Sequence, residues 1–151
     1  MLRVYIETTI FNRFLELDRE FNVETQKIFE KILKKEIEAY SSTYVIEEID
    51  KAPEPKRTEM LQLFSKYNIT ILEIDQRAFD LSEIYIEMNI IPQKYRIDGI
   101  HIAMAAIHDL DCIISLNFRH INKLKTKMAT EIVHKMKELN NPQICTPMEV
   151  L

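Results

Sequence analysis

The chain has 151 residues, enough for one hydrophobic core, and we expect residues 1–151 to form a single domain. Its formal net charge of −4 is not typical of a general nucleic-acid-binding protein, so any contact with nucleic acid must be local. No segment approaches the roughly 20 consecutive apolar residues of a membrane span, and the N-terminus has no basic region followed by an apolar one. We therefore expect a cytoplasmic protein with no membrane association.

The pattern of apolar residues predicts strands that alternate with helices. Residues 2–6 form a β-branched and aromatic run before a Thr-Thr pair that can cap a helix, so a strand there leads into a helix. The predicted strands are 2–6, 40–43, 69–74, 112–116 and 143–145. The predicted helices are 25–38, a segment from 45 to the prolines at 53 and 55, 56–67, 75–88 and 97–108. This order indicates an α/β fold with a parallel sheet and helices on both faces.

Four acidic or amide side chains fall where predicted strands end or predicted helices begin. They are Glu7, Glu48, Asp98 and Asn117. Because the carboxyl ends of parallel strands gather at one edge of a sheet, these side chains could converge there. Oxygen ligands from several segments are what a hard divalent cation such as Mg²⁺ requires. If the three carboxylates converge, repulsion should raise the pKa of at least one of them.

Four short motifs contain these residues. They are Tyr-Ile-Glu-Thr-Thr at 5–9, Ser-x-x-Val-Ile-x-Glu-Ile at 42–49, Asp-Gly-Ile-His-Ile-Ala-x-Ala at 98–105 and Ile-Ser-Leu-Asn-Phe-Arg-His at 114–120. Together they resemble the signature motifs of the PIN domain family. The resemblance implies a three-layer α/β/α sandwich and, as in many PIN domains, a ribonuclease that depends on Mg²⁺ or Mn²⁺. Compact single-domain forms resemble VapC-like toxins, which cleave RNA and are silenced by a small antitoxin protein.

Carried over residue by residue, the resemblance assigns the four acidic positions of the family to Glu7, Glu48, Asp98 and Asn117. The hydroxyl that follows the first acid falls on Thr8 or Thr9, and we expect Thr9 to orient water or a second metal ion. The implied mechanism is metal-assisted hydrolysis of RNA phosphodiester bonds without a covalent intermediate. RNA is then the substrate and an antitoxin the partner, while a homodimer stays open.

Two positions depart from the commoner pattern of the family, which has Asp at the first and fourth sites. Glu7 keeps the charge and adds roughly 1.5 Å of reach, whereas Asn117 keeps an oxygen and loses the charge. We expect weaker metal binding and a water-bridged role for Asn117. A second function is therefore open, that of a PIN domain that binds protein or RNA without cleaving it. A phosphatase or nucleotide-binding protein is disfavoured, because a chain with one Gly has no glycine-rich phosphate loop.

Two further choices rest on helical geometry and ligand chemistry. Glu47 and Glu48 project about 100° apart on a helix, so only one can face the site, and the motif favours Glu48. His101 shares a helix face with Asp98, but Mg²⁺ prefers oxygen ligands, so we expect a satisfied, partly buried histidine.

Several cationic side chains could contact the RNA backbone. Arg119 and His120 follow Asn117 and either contact phosphate or belong to a solvated loop. The other candidates are Lys94, Arg96, Lys123, Lys125 and Lys127. A run of charges is more often a solvated face, so both interpretations stay open.

Overall fold

The computed structural model describes residues 1–151 and contains one five-stranded parallel sheet. Its strands are β1 (Leu2–Ile6), β2 (Ile37–Ser42), β3 (Thr70–Leu72), β4 (Cys112–Ile114) and β5 (Gln143–Cys145). They lie in the order β3-β2-β1-β4-β5, and every neighbouring pair is parallel. The expected α/β fold with a parallel sheet is therefore confirmed.

Helices flank the sheet and make a three-layer sandwich of the expected type. They are α1 (Thr8–Leu15), α2 (Asn22–Leu33), α3 (Thr43–Ile49), α4 (Lys56–Lys66), α5 (Gln76–Glu87), α6 (Arg96–Ile107), α7 (Leu124–Met136) and α8 (Pro147–Val150). None of them combines the length and apolar character that crossing a bilayer requires. A short 3₁₀ turn, Gln93–Tyr95, precedes α6. Gly99 of α6 allows close packing on α5, because a Cβ there would lie 3.3 Å from the Tyr85 ring.

The central strands explain why the sheet is buried on both sides. Val4, Tyr5 and Ile6 of β1 are fully buried, as are Ile113 and Ile114 of β4. Strands covered on both faces read as continuous apolar runs, as these do. Ile6 pairs with Ile114 in the β1–β4 register, so the residues that follow the two strands emerge side by side.

The boundary between α2 and β2 differs from the prediction. A helix over 25–38 was expected, but α2 ends at Leu33 and Lys35 has a φ of 61°. Ile37 pairs with Leu2 of β1, so β2 begins three residues before the predicted strand. The helical spacing of the apolar residues continues through Ile37, and only pairing with β1 decides that this residue belongs to a strand.

Helix α7 was not predicted, because it buries polar side chains and exposes apolar ones. Its buried side chains include Thr126, Thr130 and His134. Its exposed side includes an apolar ridge of residues spaced four apart, which we call the α7 ridge: Leu124, Met128, Ile132 and Met136. The hydroxyls of the buried threonines hydrogen bond to backbone carbonyls. Oγ1 of Thr126 donates to the His120 carbonyl, and Oγ1 of Thr130 donates to the Thr126 carbonyl. A search for apolar residues facing the core cannot find such a helix.

Candidate active site

Glu7 lies at the junction of β1 and α1, at the carboxyl edge of the sheet. Its backbone N–H donates to the Ile114 carbonyl at 3.2 Å and so extends the β1–β4 pairing by one step. The side chain is 2% exposed and does not cap the helix. Instead its Oε1 accepts hydrogen bonds from the hydroxyls of Thr9 and Ser115, each at 2.5 Å. The carboxylate is therefore held by one hydroxyl from α1 and one that directly follows β4, and the two fix its direction.

Glu48 reaches the same edge from α3, which follows β2. Its Oε1 accepts a hydrogen bond from the Thr8 hydroxyl at 2.6 Å and lies 2.6 Å from Nε2 of His101. The neighbouring Glu47 is exposed, so α3 turns Glu48 toward the site and Glu47 toward solvent. Both threonines after Glu7 are thus engaged, Thr9 with Glu7 and Thr8 with Glu48.

His101 is fully buried and links Glu48 to the core. Its Nδ1 lies 2.7 Å from the Tyr5 hydroxyl, which lies 2.7 Å from Oγ of Ser42. Oγ of Ser42 in turn accepts the backbone N–H of Val45 and caps α3, the helix that carries Glu48. The satisfied histidine expected from the sequence is confirmed, although it is fully buried rather than partly.

Burial and this network shift the pKa values of the three groups in different directions. Burial raises the pKa of Glu7, an effect that His101, Ser115 and Thr9 reduce and the charge of Glu48 reinforces. The expected raised pKa is therefore present, but burial contributes more to it than repulsion. Burial would also raise the pKa of Glu48, but the hydrogen bond and charge of His101 outweigh it and lower that pKa. Burial opposes the charge on His101, yet Glu48, followed by Glu7 and Asp98, raises its pKa overall.

Asp98 lies in the first turn of α6, where the helix dipole favours a negative charge. It is 7% exposed, and its Oδ2 lies 2.9 Å from Nδ1 of His120. His120 is also buried, so of its two open interpretations the solvated loop is wrong. Asp98 is not among the ligand atoms that lie together around Glu7 and Glu48, although its charge acts on His101. Asp98 is thus near enough for its charge to act on His101, and its Oδ2 contacts His120.

Asn117 lies in the turn that follows β4. Its Oδ1 accepts the backbone N–H of His120 at 3.0 Å, and its own N–H donates to Oγ of Ser115 at 3.0 Å. Ser115 therefore connects Asn117 to Glu7, while His120 connects it to Asp98. The amide oxygen stabilises the turn that positions these two links.

The ligand atoms of Glu7, Glu48 and His101 lie within 4.8 Å of one another, which is compatible with a metal site. Every hydrogen bond that the two carboxylates accept goes to Oε1, so Oε2 of each is free. Two free carboxylate oxygens fit a hard divalent cation. His101 fits one less well, because the carboxylate beside Nε2 favours a proton on that nitrogen and leaves it no lone pair for a metal.

Sequence reasoning missed the residues that orient these carboxylates. Ser115, Tyr5 and Ser42 all belong to the motifs or to the strand ends next to them, but their hydroxyls carry no spacing signal. His101 was predicted to be a satisfied histidine on the Asp98 face of α6, but its contacts with Glu48 and Tyr5 were not predicted. For the three hydroxyl residues the available signal was position, because Tyr5 and Ser42 lie within the last two residues of a strand and Ser115 directly follows one.

Solved structures that share this fold include two from toxin–antitoxin systems. One is a chain of a toxin–antitoxin complex from Klebsiella pneumoniae, with a TM-score of 0.58 and 17% identity over 95% of this chain and 97% of that chain. The other is a chain of VapBC2 from Rickettsia felis bound to a DNA fragment from their promoter, with a TM-score of 0.62 and 12% identity over 96% of this chain and 98% of that chain. The chain thus has the fold of a VapC-like PIN domain. No protein-family model and no curated protein sequence matches it.

Proposed function

We propose that the protein is a metal-dependent ribonuclease of the PIN or VapC-like toxin type that hydrolyses RNA phosphodiester bonds. The observation that carries this proposal is the convergence of Glu7 and Glu48 at the carboxyl edge of the sheet, each with a free Oε2. Two acids from different segments, oriented by four donors, have the character of a prepared ligand set and not of solvated surface carboxylates.

In this proposal Glu7 and Glu48 would hold Mg²⁺ or Mn²⁺, with Asp98 and Asn117 completing the surroundings. The ion, when bound, would lower the pKa of a water molecule and offset negative charge on the phosphate. Thr9 and Ser115 fix the direction of the Glu7 carboxylate, and Thr8 and His101 fix that of Glu48. These hydrogen bonds keep the acids in place before any ligand binds, so no reorganisation is needed when charge develops.

The Asp98–His120 pair adds a second buried contact beside the acids. His120 Nδ1 faces Asp98, and the carboxylate favours a proton on that nitrogen. Asn117 positions the backbone of His120 through its amide oxygen. We assign Asp98 to the ligand set through Oδ1, because its contact with His120 uses Oδ2.

A partner protein also belongs to this proposal. The two comparison structures are toxin–antitoxin complexes, and this supports an antitoxin as the partner of a chain with the same fold. RNA as the substrate, a cytoplasmic location and a homodimer remain predictions.

A second candidate is a PIN domain that binds a partner without cleaving RNA. The α7 ridge favours it, because four apolar side chains from 57% to 72% exposed on one helix are typical of a contact surface. The lost charge at Asn117 is compatible with it as well. Neither observation conflicts with nuclease activity, so the two candidates need an experiment.

The experiment is cleavage of labelled single-stranded RNA by purified protein with Mg²⁺, with Mn²⁺ and with EDTA. We expect cleavage with either metal, none with EDTA, and none by Glu48→Gln. Glu47→Gln is the matched control, because it makes the same substitution one residue away on the exposed face of α3, and it should cleave as the wild type does. No cleavage by wild-type protein under any metal condition would favour the binding module.

A further inference from the structure

A cluster of aromatic and cationic side chains lies beside the candidate active site. Its centre is Tyr95, a half-buried residue at the end of the 3₁₀ turn before α6. The Tyr95 ring packs against the His120 ring, with centroids 4.2 Å apart and planes inclined by 34°. Because His120 also contacts Asp98 at 2.9 Å, only one side chain separates Tyr95 from an acid of the site.

Two exposed cations rest on the same tyrosine. The guanidinium carbon of Arg119 lies 5.3 Å from the Tyr95 ring centroid, and Nζ of Lys94 lies 5.7 Å from it. Both distances are within the range of cation–π attraction. The two cations come from different segments, one before α6 and one after β4, and the ring brings them to one place.

Neither cation is paired with a carboxylate. The ion pairs of the protein involve other side chains, and no side-chain hydrogen bond engages Arg119 or Lys94. The nearby Arg96 differs, because it pairs with Glu83 and lies over Phe79. Stacking on a ring leaves the N–H groups of a guanidinium free for a phosphate. Arg119 and Lys94 therefore have free donors and no acidic partner, whereas Arg96 is paired with an acid.

The surroundings favour a nucleic acid over other anions. Phe118, next to Arg119, is 49% exposed, and its centroid lies 6.1 Å from that of Phe21. An exposed ring beside a phosphate-binding cation can stack an unpaired base, which a free phosphate or an acidic peptide does not offer. The acids next to the cluster repel polyanions, so a substrate phosphate needs a local cationic contact to approach them.

We propose that Lys94, Tyr95 and Arg119 form a clamp for the phosphate backbone of single-stranded RNA beside the candidate active site. Arg119 and Lys94 contact phosphates on either side of the reacting bond, and Tyr95 is a positioning residue that holds both cations. This inference rests on the proposed function, since it names how that site would hold its substrate. The lysines of α7 are not needed for this contact.

The test measures binding apart from cleavage. Fluorescence anisotropy of a labelled 12-nucleotide single-stranded RNA, in EDTA at several salt concentrations, should give weaker affinity for Arg119→Gln and for Lys94→Gln, by about threefold to tenfold each. Each variant should also reduce the slope of log affinity against log salt by about one. The matched control is Lys125→Gln, an exposed lysine of α7, which should bind as the wild type does.

The positioning role of Tyr95 has its own readout. Tyr95→Leu should weaken RNA binding and reduce the salt slope, whereas Tyr95→Phe, which keeps the ring face, should restore both. Thermal melting of each variant separates loss of the clamp from loss of the fold. A general structural defect would lower the melting temperature without the rescue by Phe.

Several outcomes would overturn the clamp. They are equal RNA affinity in Arg119→Gln and wild type, an effect of Lys125→Gln as large as that of Lys94→Gln, and no RNA binding by wild type at 50 mM salt. Tighter binding of a labelled Asp- and Glu-rich peptide than of RNA would assign the cations to a protein partner instead.

If wild type cleaves RNA while Arg119→Gln binds normally, the clamp alone fails. If RNA binds through the clamp and nothing is cleaved with metal, the proposed function alone fails.

Discussion

The Nε2 atom of His101 lies 2.6 Å from Oε1 of Glu48, and both residues have pKa values shifted toward their charged forms. A fully buried histidine would ordinarily favour its neutral form, so the carboxylate decides its charge. This pair, together with the Thr8 hydroxyl, commits one oxygen of Glu48 and leaves the other available. Glu48 is therefore oriented by an ion pair and a hydroxyl group, and not by solvent.

Metal binding should depend on Glu48 and not on Glu47. Millimolar Mn²⁺ should raise the melting temperature of wild type and of Glu47→Gln by a few degrees, since a ligand at about ten times its Kd adds about 1.4 kcal/mol of stability. Glu48→Gln should show little or no shift. Thermal melting with Mn²⁺ and with EDTA measures this, and equal shifts in the two variants would place the metal elsewhere.

The stability of the metal-free protein should depend on pH through Glu7. Because its pKa is raised in the fold above the ordinary value of 4.5, its contribution is fully present below that value and is lost as the pH rises through the raised pKa. Each unit of such a shift corresponds to about 1.4 kcal/mol.

Glu7→Gln keeps the size of the side chain and an oxygen that accepts the Thr9 and Ser115 hydrogen bonds. In EDTA it should equal wild type at low pH and become progressively more stable than wild type as the pH rises. Denaturant unfolding between pH 4 and pH 8 measures the difference. A difference that does not change with pH would show that Glu7 has the same pKa folded and unfolded.

The Tyr5 hydroxyl should contribute to stability through His101. Tyr5→Phe leaves Nδ1 of His101 buried without its partner, and we expect a loss of about 1–3 kcal/mol in the free energy of unfolding. Tyr40→Phe is the control, because its hydroxyl contacts Glu38 and Arg3 in less buried surroundings and should matter less. Denaturant unfolding of both variants measures the two losses. Equal losses would show that the buried Tyr5–His101 contact stabilises the fold no more than the contacts of Tyr40.

The two departures from the family pattern should limit cleavage unequally. Asn117→Asp restores a negative charge while keeping an oxygen for the His120 N–H, so it should lower the Mn²⁺ concentration for half-maximal cleavage of single-stranded RNA. Glu7→Asp changes reach and not charge, and should help less. If wild type and Asn117→Asp are both silent with Mg²⁺ and Mn²⁺, the nuclease proposal fails.

Asp98 should be required for RNA cleavage whether residue 117 is Asn or Asp. Asp98→Asn removes the charge that faces His120 and acts on His101, so it should abolish cleavage by wild type and by Asn117→Asp alike. His120→Gln separates the two roles of Asp98, because it removes the paired ring and keeps the acid. Cleavage rates for the three variants at saturating Mn²⁺ are the measurement, and an active Asp98→Asn would exclude Asp98 from the machinery.

Much of the fold could be predicted because its central strands are short continuous apolar runs. The bounds of β1 and β5 are as expected, and the carboxyl-edge argument anticipated that Glu7 and Glu48 would meet. The choice of Glu48 over Glu47 as the residue facing the site also agrees with the structure. These features depend on local periodicity and on the general rule that parallel strands end together, both of which a sequence carries.

Tertiary structure alone decided the rest. Ile37 fits a helix by its spacing and becomes a strand only because β1 pairs with it, while α7 buries threonines that hydrogen bond to the backbone and exposes its apolar ridge. The pairing of Asp98 with His120 and of Glu48 with His101 joins residues 22 and 53 positions apart. Such contacts depend on distances between elements, and no local pattern encodes them. The sequence therefore determined which acids reach the edge of the sheet, and packing determined which donor orients each of them.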